Sequence, residues 1–375
     1  MKIGFGARLA YEKEPAQTLY YTELLNSLCK LGTAQDLLYI FTDKNCTINI
    51  KSFVTKNKMG IESITSLFPI RRQSVGLIWE QTVLPLHIQM KKLDLYHSPF
   101  FFLPLTKINS KTRMAVTIHD LAFERNPEHF SPLTKIYFNR LARKSAQIAD
   151  VIFTPCNFVK NDIVDLYKIK SEKIIITPYA LNPIYEKGQN INVDNPEFKK
   201  PYILVVGVIH PRKNLGQVVE AFAKIKDRFK SHSLIFVGRK ALRSEEIEIA
   251  VRDAKLTERS FFYSNLSSSL MPSIYKNAEC LIMPSFSEGF GFPALEAMAV
   301  TTPVIAANQG SLPEILGDYA TYFNPFAKDL AEVLESFLSS GRNLKEQQRL
   351  AQIQLEKFNW DKTAKTVMDS YRSLC

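Results

Sequence analysis

The chain has 375 residues, 46% hydrophobic and 23% charged, with five cysteines and a net charge of +11. That length and apolar content can fill two ordinary cores, and the charged fraction is that of a globular protein, so a disordered chain is excluded. No run approaches the roughly 18 continuous apolar residues of a membrane span. The dispersed Cys29, Cys46, Cys156, Cys280 and Cys375 point to reduced thiols in a cytoplasmic protein, not to a disulfide framework or a zinc knuckle.

The N-terminus runs straight into a strand, with no signal-peptide pattern. Short β-branched runs then alternate with helical segments, the pattern of α/β layers built on parallel sheets. First-half strands are predicted over 2–5, 37–41, 94–97, 114–118, 151–154 and 173–177, with helices over 17–31, 131–146 and 157–167. The polar stretch 182–201, holding Pro183, Gly188 and Pro196, reads as a linker. A very apolar strand, 202–206, follows and is closed by Gly207; further strands are predicted over 233–237, 261–263, 280–283 and 303–306. Such continuous apolar strands call for sheets covered on both faces. The expected architecture is two doubly wound domains, 1–182 and 183–359, facing each other, with an amphipathic helix over 360–375 completing the first. Ligands of such folds gather at the carboxyl ends of the strands.

The excess of base lies in the first half, where residues 1–180 carry 24 basic against 15 acidic side chains. It suits nucleic acid, an anionic membrane, a phosphorylated acceptor, or a plain solvated surface. The aromatic run Phe100-Phe101-Phe102 is compatible with membrane contact or with packing at a strand end.

Three constellations carry the chemistry. Glu288 and Glu296 bracket Gly289-Phe290-Gly291-Phe292-Pro293-Ala294-Leu295 between an apolar strand and a helix over 294–300. A strand, a Gly-rich turn and a helix N-terminus cradle phosphate or sugar hydroxyls. Glu296, inside the helix, can accept two hydrogen bonds from a vicinal diol, while Glu288 faces what the diol is attached to. In the second, Gly207 turns the chain, Pro211 stiffens the loop, and Arg212 and Lys213 precede a helix expected to be N-capped by Asn214. Two cations at a helix start oppose its dipole, and a polyanion between them removes the conflict. In the third, His119 ends the strand of Val116-Thr117-Ile118, and Asp120 is placed to cap local N–H groups.

Absences narrow the reading further. There is no Asp-x-Asp metal site, no phosphate loop of the ATPase kind and no G-x-S-x-G. Gly4-Phe5-Gly6-Ala7-Arg8-Leu9 has Leu9 where a dinucleotide fingerprint has its third glycine. No metal and no cofactor are expected.

The segment Pro284 to Ala299 resembles the hallmark of glycosyltransferase family 4, the retaining group 1 enzymes of GT-B fold with two Rossmann-like domains. Pro303-Val304-Ile305, Gly310-Ser311-Leu312-Pro313-Glu314-Ile315, Pro211-Arg212-Lys213-Asn214, Thr117-Ile118-His119-Asp120-Leu121 and His97-Ser98-Pro99 are similar to it as well. The resemblance implies a retaining, metal-independent hexosyl transfer from a UDP- or GDP-sugar, GDP-mannose among them, to a glycan or lipid-linked acceptor. The implied catalytic residues are His119, Glu288, Arg212 and Lys213. The implied donor contacts are Gly207, Arg212, Lys213, Leu266, Gly289, Phe290, Gly291, Leu295 and Glu296. Glu296 would hold the ribose, Arg212 and Lys213 the diphosphate, Glu288 and the backbone of 289–291 the transferred sugar, and His119 would approach that sugar from the first domain. Peripheral contact with an anionic membrane would go with a lipid-linked acceptor.

Three places depart from the family pattern. Tyr11-Glu12-Lys13-Glu14-Pro15-Ala16-Gln17 replaces a Gly-rich loop, Asn182-Pro183-Ile184-Tyr185 is an unusual hinge, and Thr301 stands where Gly is usual at a helix end. A silent sugar-nucleotide binder is an alternative, as is a basic nucleic-acid-binding protein. The latter leaves the Glu288–Glu296 pair unexplained, so nucleic acid is not an expected partner.

Overall fold

The computed structural model describes residues 1–8, 15–43, 46, 58–66, 68, 70, 73–106, 111–130, 132–185, 198, 201–241, 243–327, 329–340 and 343–375. The loop at 9–14, most of the 182–201 linker and Leu9 of the Gly4–Leu9 run lie outside these residues. The chain divides into two units, one of Met1–Tyr179 with Asn359–Cys375, the other of Ala180–Phe358.

The first unit is built on a seven-stranded parallel sheet: β1 (Lys2–Gly6), β2 (Leu37–Asp43), β3 (Gly60–Ser66), β4 (Leu95–Ser98), β5 (Arg113–Thr117), β6 (Val151–Thr154) and β7 (Ile174–Ile176), in the order β3-β2-β1-β4-β5-β6-β7. Its inner strands are almost wholly buried, as a sheet covered on both faces requires. The order reverses between β1 and β4, and a crevice at the carboxyl ends follows from that reversal.

The Trp360–Leu374 helix returns to this unit across the whole sequence. Asn359 caps it by accepting from the Lys362 N–H at 2.9 Å, and Ser27 donates to Asp361 at 2.6 Å. Deeper in, the fully buried His97 joins the Tyr371 hydroxyl (2.5 Å) to Thr117 (2.8 Å), whose hydroxyl also meets that of Tyr20 at 2.9 Å. Buried polar groups demand such partners, so the helix is keyed to β4 and β5 as well as packed.

The second unit has a six-stranded parallel sheet: β8 (Tyr202–Val206), β9 (Ser233–Val237), β10 (Ser260–Tyr263), β11 (Cys280–Met283), β12 (Val304–Ala307) and β13 (Ala320–Phe323), ordered β10-β9-β8-β11-β12-β13. Here the reversal falls between β8 and β11. The Leu215–Ile225 helix buries Leu215, Val218, Val219, Phe222 and Ile225 on the sheet at helical spacing. Removing the Phe222 ring from this core costs about 3–5 kcal/mol.

Among the described elements with no counterpart in the predicted ones are β3, β13 and the Gln73–Lys91 helix. β3 and β13 are edge strands with mostly exposed or half-buried residues, so neither carries the apolar run that marks an inner strand. The Gln73–Lys91 helix contains Pro85 and exposes Ile78, Leu86 and Met90, which breaks the amphipathic pattern. In the aromatic run, Phe101 and Phe102 are buried, edge-on to Phe138, as strand-end core packing requires, while Phe100 is half-buried. Among the described residues no helix is long and apolar enough to cross a membrane.

Candidate active site

Both loops at the reversal point of the second sheet leave from strand ends, and each carries one of the charged motifs. After β8, Gly207 takes φ +136°, and Gly238 lies so close that a Cβ there would come within 1.9 Å of the Gly207 carbonyl oxygen. Only glycine tolerates that approach. Pro211–Lys213 then form a single 3₁₀ turn, opened by His210, whose Nδ1 accepts from the Arg212 N–H at 3.3 Å. Asn214 closes this turn in the left-handed region, φ +52°. Asn214 is therefore not the side-chain N-cap expected from sequence: its amide donates to Gln217 at 2.6 Å, and the helix starts at Leu215 without a side-chain cap. A residue closing one turn in the left-handed region does not present its side chain to the first N–H groups of the next.

The loop after β11 is tied to the first by the Phe286 N–H, which donates to the Arg212 carbonyl at 3.3 Å. Glu288 sits at the junction, 7% exposed. Lys213 Nζ bonds Glu288 Oε1, Ser285 donates to the same oxygen at 2.8 Å, and an Arg212 Nη1 stands 3.8 Å from Oε2 while donating to the Ser287 carbonyl at 3.1 Å. The backbone of Glu288 is pinned too. Ser311 donates to its carbonyl at 3.2 Å, and Gly310, at φ +66°, packs where a Cβ would lie 2.9 Å from its nitrogen.

Burial pushes the Glu288 carboxyl up, but Lys213, Arg212 and Ser285 together outweigh burial and hold it below the ordinary carboxylate range. It stays ionised at neutral pH. Two cations meet one carboxylate here, so the cluster carries a surplus positive charge that a further anion would neutralise.

Glu296 behaves oppositely. It lies within the Phe292–Ala299 helix, whose N-cap is Gly291 at φ +94° with no side-chain cap. The Tyr275 hydroxyl donates to its Oε2 at 2.6 Å, and the buried hydroxyl of Tyr185, edge-on to Tyr275, lies toward the same carboxyl. Burial pushes the Glu296 carboxyl above its usual value, and the tyrosine hydroxyls offset only part of that. Two acids eight residues apart are thus driven in opposite directions, the mark of two different tasks.

The other sequence candidates divide. Gly289 and Phe290 are buried in the loop, and the Phe290 carbonyl accepts from Ser311 at 3.2 Å. Leu266 is half-buried in the loop after the edge strand β10. The Leu295 side chain is fully buried, so any donor contact there falls to its backbone. Thr301 adopts φ +58° despite its branched side chain, so the helix end keeps the glycine-like geometry at a steric cost.

His119 belongs to the first unit, just past β5. Its Nε2–H donates to the Pro99 carbonyl at 2.7 Å, and its Nδ1 accepts from the Tyr179 hydroxyl. A carbonyl only accepts, which fixes the tautomer. Burial pushes this imidazole down to about 4, so it is neutral at physiological pH. Asp120 caps the following turn by accepting from the Ala122 N–H at 3.0 Å, as its position after the strand implied.

Sequence reading passed over Tyr275, Ser285, His210 and Ser311. Ser285, three residues before Glu288 in a tight loop, was the most accessible of these. Tyr275 and Tyr185 reach Glu296 from distant segments and leave no local signal.

Comparison with known proteins places the fold and the family. The family described as "Glycosyltransferase Family 4" matches residues 20–183, and "Glycosyl transferases group 1" matches residues 187–354. The O-antigen chain mannosyltransferase B of Escherichia coli is 26% identical over 333 residues, covering 86% of this chain and 82% of that protein. The O-antigen chain mannosyltransferase RfbU of Salmonella typhimurium is 31% identical over 210 residues, 56% of each chain. The crystal structure of Anabaena HepE in complex with UDP-glucose covers all of both chains with a TM-score of 0.68 at 16% identity, a likeness of fold. With both halves matched in order and the GT-B fold in place, the chain belongs to the group 1 glycosyltransferases of family 4.

Proposed function

We propose that the protein transfers a hexosyl group, mannose as the leading candidate, from a GDP- or UDP-sugar to a glycan or lipid-linked acceptor, with retention of configuration and without a metal ion. One observation carries the reading: Arg212 and Lys213 converge on Glu288 at the reversal point of the second sheet, beside a helix that holds the differently tuned Glu296. In this reading the guanidinium and ammonium take the diphosphate and stabilise it as it departs, the work otherwise given to a divalent cation. Glu288 serves as the counter-ion that keeps both cations poised, and its fixed negative charge can stabilise an oxocarbenium-like centre. Glu296 accepts from the ribose hydroxyls. Any part His119 takes in transfer is that of a neutral imidazole. The mannosyltransferase names of the two relatives favour GDP-mannose; the UDP-glucose in the HepE complex keeps UDP-sugars in play.

The protein is expected to act in the cytoplasm, with peripheral contact at an anionic membrane if the acceptor is lipid-linked. Salt-sensitive co-sedimentation with anionic vesicles tests that part, and its absence at low salt retires it. The donor is tested by a thermal-shift screen of GDP, UDP and ADP, since a ligand of the folded state raises Tm. Transfer from the matching sugar nucleotide is then assayed in excess chelator, with the anomeric configuration read by NMR. No nucleotide response, or activity lost to chelator, contradicts the proposal.

A further inference from the structure

Both passages of the chain across the border of the first unit lead to His119. The chain leaves that unit after Tyr179 and returns to it at Asn359. Trp360, which opens the returning helix, stacks on Tyr179 with ring centroids 6.2 Å apart and planes 16° from parallel. Thr363, one turn on, donates its hydroxyl to the Pro178 carbonyl. The Tyr20 ring, from the Pro15–Leu31 helix, lies 4.8 Å from Tyr179, 5.1 Å from His119 and 6.2 Å from Trp360. Rings from four segments thus form one pile, and within it the Tyr179 hydroxyl donates to His119 Nδ1.

Ring contacts stabilise the pile whichever nitrogen of His119 is protonated. The hydroxyl is selective. Its bond to Nδ1 exists only while that nitrogen keeps its lone pair, and the Nε2–H is already engaged by the Pro99 carbonyl at 2.7 Å. Tyr179 therefore favours one tautomer and one ring orientation, and it disfavours the imidazolium. Burial acts in the same direction. Of the ionisable groups that face the ring, Asp120 favours the charged form, while burial keeps Tyr20, Tyr179 and His97 neutral at physiological pH. In the transfer reading His119 approaches a sugar on which positive charge develops. An imidazolium there would oppose that charge, and a neutral ring does not.

We propose that Tyr179 is a positioning residue for the transfer: its hydroxyl, anchored by the stacked rings where the chain leaves and re-enters the first unit, fixes the tautomer and orientation of His119. The part in transfer rests on the function proposed above, whereas the hold on His119 does not.

The test pairs NMR with kinetics on the full chain. With nitrogen-15-labelled histidine, the His119 resonances, assigned by their loss in His119→Asn, should report the Nε2–H tautomer, unprotonated from about pH 5 to 8. Tyr179→Phe should shift the Nδ1 resonance and raise the protonation midpoint by about one pH unit, the equivalent of one hydrogen bond. Hydrolysis of GDP-mannose and of UDP-glucose gives turnover without an acceptor. There the variant should lose about ten-fold in kcat, with KM unchanged and the acid limb of the pH profile raised by a similar amount. Tyr20→Phe removes another hydroxyl of the pile, one that meets Thr117 instead, and should move neither the resonances nor the acid limb. Melting temperature reports whether each variant is folded. An unshifted Nδ1 in Tyr179→Phe, a folded variant with wild-type kcat and acid limb, or equal effects from Tyr20→Phe each overturns the role of Tyr179 and leaves the function proposal standing. A wild type that neither binds nucleotide nor hydrolyses either sugar nucleotide overturns the function proposal instead, and the resonances still decide whether Tyr179 holds His119.

Discussion

Replacing Glu296 with Gln should weaken nucleotide binding without weakening the fold. The ionised carboxylate has about four acceptor positions. Tyr275 fills one at 2.6 Å, leaving enough for both hydroxyls of a ribose. Gln keeps the bond from Tyr275, has one carbonyl acceptor position left, and carries no charge. One diol bond is lost and the other reverts to a neutral bond, a loss of about 2–3 kcal/mol, or roughly 30- to 150-fold in Kd. Stability should move the other way. A carboxyl whose folded-state pKa stands above its unfolded value contributes stability below the unfolded value and withdraws it as pH rises through the folded one. At pH 8 the buried charge is therefore a cost, and its removal should leave the ligand-free melting temperature equal or higher. Calorimetric titration with GDP and UDP, paired with thermal unfolding without nucleotide, reads both effects. Unchanged affinity, or a clear fall in melting temperature, refutes the assignment of Glu296 to a diol.

Other expectations follow from single contacts. Thr301→Gly should stabilise the chain by about 0.5–1 kcal/mol in urea unfolding, because φ +58° strains a branched residue and suits glycine. Glu288→Gln leaves Arg212 and Lys213 without their counter-ion, so stability should fall by about 2 kcal/mol and turnover with it; a variant as stable and active as wild type would remove Glu288 from the site. His97 is pushed down to about 3 by burial, so the unfolded chain binds its proton first as pH falls below 6.5. Stability is complete above that pH and is lost below it, by about 2 kcal/mol at pH 5 for this residue, and the difference between pH 7 and pH 5 should shrink accordingly in His97→Gln.

Inner strands and the charged loops could be read from sequence because each has a local signature. The run Tyr202 to Val206 is apolar throughout, and Glu288 and Glu296 flank a compact glycine pattern at a strand exit. What escaped has its cause elsewhere in the chain. β3 and β13 are specified by the neighbour each pairs with, since an edge strand buries too little to show a periodicity. Asn214 has the right side chain for an N-cap, but the preceding 3₁₀ turn fixes its backbone first. Leu295 belongs to the glycine-rich motif, but the rotation of the helix, which the motif does not reveal, sends its side chain inward. The tyrosines at Glu296 come from positions 185 and 275, and nothing in either segment announces that meeting.

The central claim is that protein cations grip the diphosphate. It is tested most directly by the affinity ratio of nucleoside diphosphate to monophosphate, measured in excess chelator for wild type and Lys213→Ala. The account predicts a strong preference for the diphosphate in the wild type and a collapse of that preference, by about 10- to 100-fold, in the variant. An unchanged ratio in Lys213→Ala, or no preference in the wild type until a divalent ion is restored, would contradict it.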